Sequence, residues 1–368
     1  MFIRPLTEPE QHRLRGTGEP GRTIVAVDDD EIAGAVAIVS RELTVPGAIV
    51  PVAWVVRAEV SPTHRGRGLL AEMMTRQLTE LYESGETVSA AASGRCARFG
   101  YGPASRALRL RTSGVSTPDS ATSRIRLLEA SSPELERVYD AVRRTSVGWI
   151  SRPPRFWAAL PASWVAAVLD SPEDGYALYR PGDAGELQVA EVGAATAQGA
   201  ATLWRFLLNT GCGTSAQVPV DSPLLGTSRP RPVDTLWVRL VDVERALAVR
   251  RYTVPLDVVL SVCDSFCPWN TGRYHLATDG TRVTCSRTSA PAELCVSAAD
   301  LGAAYLGGPT LTALAGSSRV IELRPGALSR TSAAFRGEHE PFHPSGMDSC
   351  SSGRTGARRC AVPACGSS

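Results

Sequence analysis

Residues Arg65-Gly-Arg-Gly68 alternate two arginines with two glycines immediately ahead of an apolar, helix-forming stretch. Glycine lets a backbone turn tightly with its N–H groups exposed, and arginine adds positive charge. The chemistry served by that combination is the cradling of a pyrophosphate, because the N–H groups of a helix's first turn have no partner inside the helix and its dipole favours an anion there.

Such a loop works only if a strand delivers it and a helix follows. An apolar run ends at Val60, and from Leu69 onward Leu70, Met74, Leu78 and Leu81 fall on one helical face, with Glu72 and Arg76 paired on another. Upstream, Thr23 to Val27 and Glu31 to Val39 flank the acidic turn Asp28-Asp29-Asp30 and read as a hairpin. Leu43 to Val45 and, after Pro46-Gly47, Ala48 to Val60 continue a mostly antiparallel sheet. Short strands are expected at Val88 to Ala92 and Ala107 to Arg111. The spacing fits neither GxxxxGK[ST] nor GxGxxG, which disfavours nucleotide triphosphates and dinucleotides and leaves acyl-CoA as the better ligand.

Arg65-Gly-Arg-Gly-Leu-Leu70 resembles the R/QxxGxG/A pyrophosphate motif of the GNAT acetyltransferase superfamily, with Leu70 in place of the last small residue. The strings VSPTHRGRGLLAEMMTRQL and GRCARFGYGPAS resemble, more narrowly, the Eis (enhanced intracellular survival) N-acetyltransferases, and similarity runs in order from about Arg22 to Phe335. The resemblance implies a mixed α/β (α+β) chain of tandem GNAT-like domains followed by a sterol-carrier-protein-like domain, assembled as a homohexamer. It also implies acetyl-CoA as acetyl donor, with Ala58, Glu59 and Val60 meeting the acetyl carbonyl and Arg65, Gly66, Arg67, Gly68, Leu69, Leu70 and Ala71 holding the pyrophosphate. Ala91 and Ala92 stand nearest the family's CoA-contacting Ser-Glu pair, although the strand carrying them is about three residues shorter.

Composition agrees with a soluble enzyme. A chain of 368 residues allows two or three domains, and 43% hydrophobic with 21% charged residues is a globular mixture. A net charge of +2 provides no field for nucleic acid or an anionic membrane. No apolar run reaches membrane-spanning length and residues 1–10 lack a signal-peptide core, so a cytoplasmic location is expected. Nine cysteines without a CxxC pair, and five histidines never at zinc-ligand spacing, predict no metal.

The expected organisation is a GNAT domain at 1–113, a polar linker at 114–123, a second GNAT-like domain at 124–235, a sterol-carrier-like domain at 236–336 and a disordered tail at 337–368. In the second unit a strand at Arg124 to Leu128 and a helix at Pro133 to Arg144 precede strands at Tyr176 to Tyr179 and Leu187 to Val192, then a helix at Ala197 to Leu208. That repeats the hairpin-then-helix order without a Gly-rich basic loop, as a duplication that kept the scaffold and lost the phosphate site would. In the third unit strands are expected at Leu256 to Cys263, Arg273 to Leu276, Arg282 to Cys285 and Glu293 to Val296, and a helix at Asp300 to Tyr305.

Acetyl transfer to an amine needs a proton acceptor, donors for the developing oxyanion and an acid for the departing thiolate. By the resemblance the acid is a tyrosine, and here Cys96 occupies its place in Cys96-Ala97-Arg98-Phe99-Gly100-Tyr101. A thiol is the weaker hydrogen-bond donor, and Tyr101 is the nearest substitute unless it is a packed aromatic with a satisfied hydroxyl. The family's base is the carboxylate of a C-terminal aromatic residue, whereas this chain ends at Ser368 after a Ser/Gly/Arg/Cys tract, and the region before Thr23 is short. The expected function is acetyl-CoA-dependent N-acetylation of aminoglycoside-like or other polyamine substrates. Alternatives are a CoA-binding, catalytically impaired homologue, and a lipid-binding or assembly module. Asp28 to Asp30, Glu31, Glu42 and Glu59 are candidate carboxylates for a cationic acceptor.

Overall fold

The acidic turn closes a hairpin through Asp29 and Asp30, whose φ angles of 42° and 65° lie in the left-handed region that aspartate tolerates better than most residues. This computed structural model describes residues 2–7, 14, 18–113, 125–169, 175–210, 212–222 and 230–345. The expected linker at 114–123 lies outside them, as does Ser368. The first unit runs β1 (Phe2–Pro5), β2 (Thr23–Asp28), β3 (Glu31–Val45), β4 (Ala48–Val60), α1 (Leu69–Glu83), β5 (Val88–Ala91) and β6 (Gly102–Ser113). On α1 the buried face is Leu69, Met73, Met74, Leu78 and Leu81, rotated from the expected one, so that Leu70 is only half-buried.

The second unit repeats this plan. It comprises β7 (Ile125–Glu129), α2 (Pro133–Arg143), the short α3 (Pro154–Ala158), β8 (Val165–Leu169), β9 (Gly175–Pro181), β10 (Glu186–Ala194), α4 (Ala197–Thr210), β11 (Gly213–Pro219) and β12 (Arg231–Leu240). Ser132 caps α2 by accepting from the Glu134 N–H, with Pro133 at the first helical position. In both units the strand before the main helix pairs parallel with the strand after it, β4 with β5 and β10 with β11.

The two units share one 12-stranded sheet, in the order β1-β2-β3-β4-β5-β12-β6-β11-β10-β9-β8-β7, because their last strands are exchanged. β12 pairs with β5 of the first unit, from Trp237 opposite Ala91 to Leu240 opposite Val88, while β6 pairs with β11 of the second. The boundary expected at 235/236 therefore falls inside a strand.

The third unit holds α5 (Val243–Val249), β13 (Leu256–Cys263), β14 (Gly272–Thr278), β15 (Val283–Arg287), β16 (Leu294–Ser297), α6 (Ala298–Ala304), α7 (Leu311–Gly316), β17 (Val320–Glu322) and α8 (Ala327–Phe335). Its sheet order is β15-β14-β13-β16-β17. Helix α6 lies directly on the exchanged strands, and glycine is required there: a Cβ on Gly102 would stand 1.9 Å from the Ala299 carbonyl oxygen, and one on Gly302 would stand 2.4 Å from that of Val238. No helix among the described residues is long and apolar enough to cross a membrane.

The tail departs from expectation. Within the described residues 337–345, positions 341–344 are buried: the Phe342 N–H donates to the Val147 carbonyl and the His343 N–H to Ser105 Oγ. The His343 ring lies 5.3 Å from that of Trp54. Phe342 and His343, flanked by the buried Pro341 and Pro344, seat the segment between the first two units.

Candidate active site

Strand β4 outlasts its parallel partner. The β4–β5 ladder covers Ala53 to Val55 against Ser89 to Ala91, where β5 ends, while β4 continues to Val60. Just past the ladder, Ala37 pairs with Arg57 and Ile38 with Val55, so Val56 is an extra residue, a β-bulge. A bulged residue is left out of the ladder and bends its strand. The strands part there into a cleft of about 790 Å³.

One wall is the basic loop. Ser61 N–H donates to the Ala33 carbonyl at 2.7 Å, and His64 is held between Thr63 Oγ1 (2.8 Å) and Asp28 Oδ2 (3.1 Å), tying the loop to the β2–β3 turn. The hydrogen bond from His64 holds the Asp28 carboxyl below its usual value. Gly66 and Gly68 have φ near 79° and 78°, with nothing within 4 Å of where a Cβ would stand. No side chain caps α1 at Gly68. The uncapped first turn and the open glycine backbone fit a pyrophosphate, as does the positive charge of Arg65 and Arg67.

Ala58, Glu59, Val60 and the whole of Arg65–Ala71 line this cleft. Ala91 and Ala92 do not; Ala91 is buried opposite Val55 and Trp237 at the point of parting. Sequence reasoning missed five lining residues: His64, Arg95, Arg98, Phe99 and, from the turn after β13, Phe266. The two arginines stand in the GRCARFGYG string, but nothing local to Phe266 signals that it meets the first unit.

Neither candidate acid lines the cleft. Cys96 lies on the turn Gly94–Phe99, yet its side chain is 2% exposed and packs in the core beneath α1. Burial pushes its thiol up to about 11, against the opposing pull of Arg98 and Arg95. Tyr101 is equally buried. Its hydroxyl is 2.7 Å from Ser89 Oγ, and Ser89 spends its one proton on the Ala53 carbonyl at 2.9 Å, so the phenol must be the donor to Ser89. Burial raises the phenol far above its usual value. Tyr101 is thus the packed aromatic of the two readings. Of the candidate carboxylates, Glu42 pairs with Arg143 at 2.6 Å and Glu59 with Arg57 at 2.8 Å, and Glu59 alone of them is in the cleft.

The second unit carries the same bulge, at Ala190, between Val189 opposite Tyr179 and Glu191 opposite Leu178. There a buried ion pair stands beside the bulge. Glu191, fully buried, takes a bidentate contact from Arg152 at 2.5 and 2.7 Å and a hydrogen bond from Tyr176 at 2.8 Å. The Arg152 guanidinium stacks on Tyr139 and Phe156. Among the described residues no three His, Cys, Asp or Glu side chains are grouped to hold a metal ion.

Residues 2–104 and 148–252 each match an acetyltransferase (GNAT) domain family, and residues 243–344 match a sterol carrier protein domain. An uncharacterized N-acetyltransferase of Streptomyces avermitilis is 36% identical over 89% of this chain and 90% of its own. N-acetyltransferase Eis of Mycobacterium tuberculosis is 32% identical over 83% of each chain. The crystal structure of Eis1 from Mycobacterium abscessus has a TM-score of 0.82 at 30% identity, covering 94% of this chain and 99% of that one. With identity above 30% over most of both chains, the chain belongs to the Eis family of GNAT N-acetyltransferases and uses acetyl-CoA as its acetyl donor.

Proposed function

We propose that the first unit acetylates an amine of an aminoglycoside-like or other polyamine substrate, and does so slowly. Acetyl-CoA supplies the thioester. Arg65, Arg67 and the N–H groups at Gly66–Ala71 hold its pyrophosphate, while backbone around the Val56 bulge and Ala58–Val60 meets the acetyl carbonyl and the oxyanion that develops on it. Glu59, facing the cleft, attracts a cationic acceptor. The slow rate follows from one observation: the thiol in the acid position is buried away from the cleft, and the neighbouring phenol donates to Ser89. Protons then pass through water, forgoing the ~10²–10⁴-fold that a positioned acid or base contributes.

The second unit acts as scaffold, with the buried Arg152–Glu191 pair beside its bulge. The third is a structural and assembly element, and the working form is a cytoplasmic hexamer. The decisive assay follows CoA release with a polyamine acceptor. Slow, saturable, acceptor-dependent release is expected; hydrolysis indifferent to the acceptor would refute amine transfer, and release as fast as in ordinary acetyltransferases would refute the missing-acid account.

A further inference from the structure

We propose that Arg95 and Arg98, together with Phe266 of the third unit, form a second anion subsite that takes the 3′-phosphoadenosine end of the donor, so that the protein distinguishes coenzyme A from its 3′-dephospho form. The proposal rests on acetyl-CoA being the donor and concerns the part of the cleft lined by the Gly94–Phe99 turn and Phe266.

Four arginines line the cleft, Arg65 and Arg67 from the glycine loop and Arg95 and Arg98 from the Gly94–Phe99 turn. Arg95 and Arg98 are three apart on a 3₁₀ turn, Gly94–Phe99, and in that geometry residues i and i+3 eclipse one another, so both present to the same side. No carboxylate among the described residues pairs with either; the Arg98 guanidinium instead lies 4.8 Å over the Phe99 ring. A pyrophosphate carries two negative charges, which Arg65, Arg67 and the α1 N-terminus already answer. Two further arginines facing the same space repel one another until a further anion enters, and the 3′-phosphate is the remaining anionic group of the ligand.

Phe266 supplies the flat surface that a purine needs. It is half-buried, its ring centroid is 5.2 Å from that of Phe99, and its backbone N–H donates to Asp264 Oδ1 at 3.1 Å, which fixes the turn carrying it. An aromatic face beside an arginine pair matches base stacking next to a phosphate.

The test is calorimetric titration of coenzyme A and 3′-dephospho-coenzyme A into the full-length wild type, the double variant Arg95→Gln/Arg98→Gln, and Phe266→Ala, with thermal melts verifying each fold. The wild type should bind coenzyme A at least about tenfold more tightly than the dephospho form. The double variant should lose that preference while holding the dephospho form within about twofold of wild type, and Phe266→Ala should weaken both ligands alike. Equal wild-type affinities, or a preference that survives the double substitution, would overturn the subsite. If neither ligand binds the wild type, the donor assignment itself fails, which is a different result.

Discussion

Arg239 and Asp264 form a buried ion pair, Nη2 to Oδ2 at 2.5 Å, between the strand that the second unit lends to the first and the turn that follows β13 of the third. Arg239 also donates from Nη1 to the Gly100 carbonyl at 3.2 Å, and Asp264 accepts from the Phe266 and Cys267 N–H groups and from Asn270. One pair therefore joins all three units and sets the turn that brings Phe266 to the cleft. Asp264→Ala leaves a buried guanidinium unpaired, a loss of about 3–5 kcal/mol in such settings. We expect a lower urea midpoint and weaker acetyl-CoA binding together; an unchanged midpoint would show that the pair is not what joins the units.

Gly68 stands at φ 78° with open space where a Cβ would be, at the uncapped start of α1. Gly68→Asp should weaken acetyl-CoA binding more than about tenfold by placing a negative charge against the pyrophosphate. Gly68→Asn, which tolerates the same backbone and adds no charge, should weaken it far less. Calorimetry on the two variants separates charge from strain.

Cys96→Ala should leave the rate of acetyl transfer within about twofold, because the thiol does not reach the cleft and so supplies none of the gain expected of a positioned acid. Tyr101→Phe removes the donor to Ser89 and should cost about 1 kcal/mol of stability without slowing transfer. The same burial gives a chemical readout. With its thiol pushed up to about 11, Cys96 should resist alkylation at pH 8 in the folded protein, while exposed Cys212 and Cys263 react. Peptide mass mapping would show which cysteines are modified.

Glu340 gives a pH dependence with a definite sign. Burial, and then the neighbouring Asp221, raise its carboxyl above the usual value. A group raised on folding favours the folded chain fully below its unfolded pKa, and that contribution is lost as pH rises through the folded value. Glu340→Gln should therefore raise the melting temperature at neutral pH and leave it unchanged in acid, where both side chains are neutral. A gain that persisted in acid would point to packing instead.

What could be read beforehand was whatever is written locally. Asp28–Asp30 announced their hairpin, Ser132 and Pro133 their helix start, and β13 spans the expected Leu256 to Cys263. The glycine loop showed itself because tight turning and anion binding both need particular residues side by side. Long-range features were invisible for a physical reason. Strand partners are chosen by packing across the whole fold, so nothing within Trp237-Val-Arg-Leu240 tells that it will lie against Val88–Ala91, and β8, β11 and β12 were not foreseen at all. Tyr101 and Cys96 were candidates by position in a string, which carries no information on which way a side chain points. The segment 337–345 reads by its polarity as tail, whereas the burial of 341–344 is set by Phe342 and His343 meeting surfaces built hundreds of residues earlier.

The exchange of β6 and β12 imposes an order on synthesis. The edge of β5 at Ala91 is paired only when Trp237 has been made, 237 − 91 = 146 residues later. At ~5–20 residues per second that is roughly 7–30 s during which the nascent acetyl-CoA-binding unit exposes an open sheet edge on the ribosome. The gene thus cannot be divided at its apparent domain seams. A fragment comprising residues 1–113 should aggregate or trade strands with a second copy, and adding residues 231–240 in trans as a peptide should restore acetyl-CoA binding to it. A soluble, monomeric, binding-competent 1–113 would mean that the borrowed strand is an ornament of the finished protein and has no part in completing it.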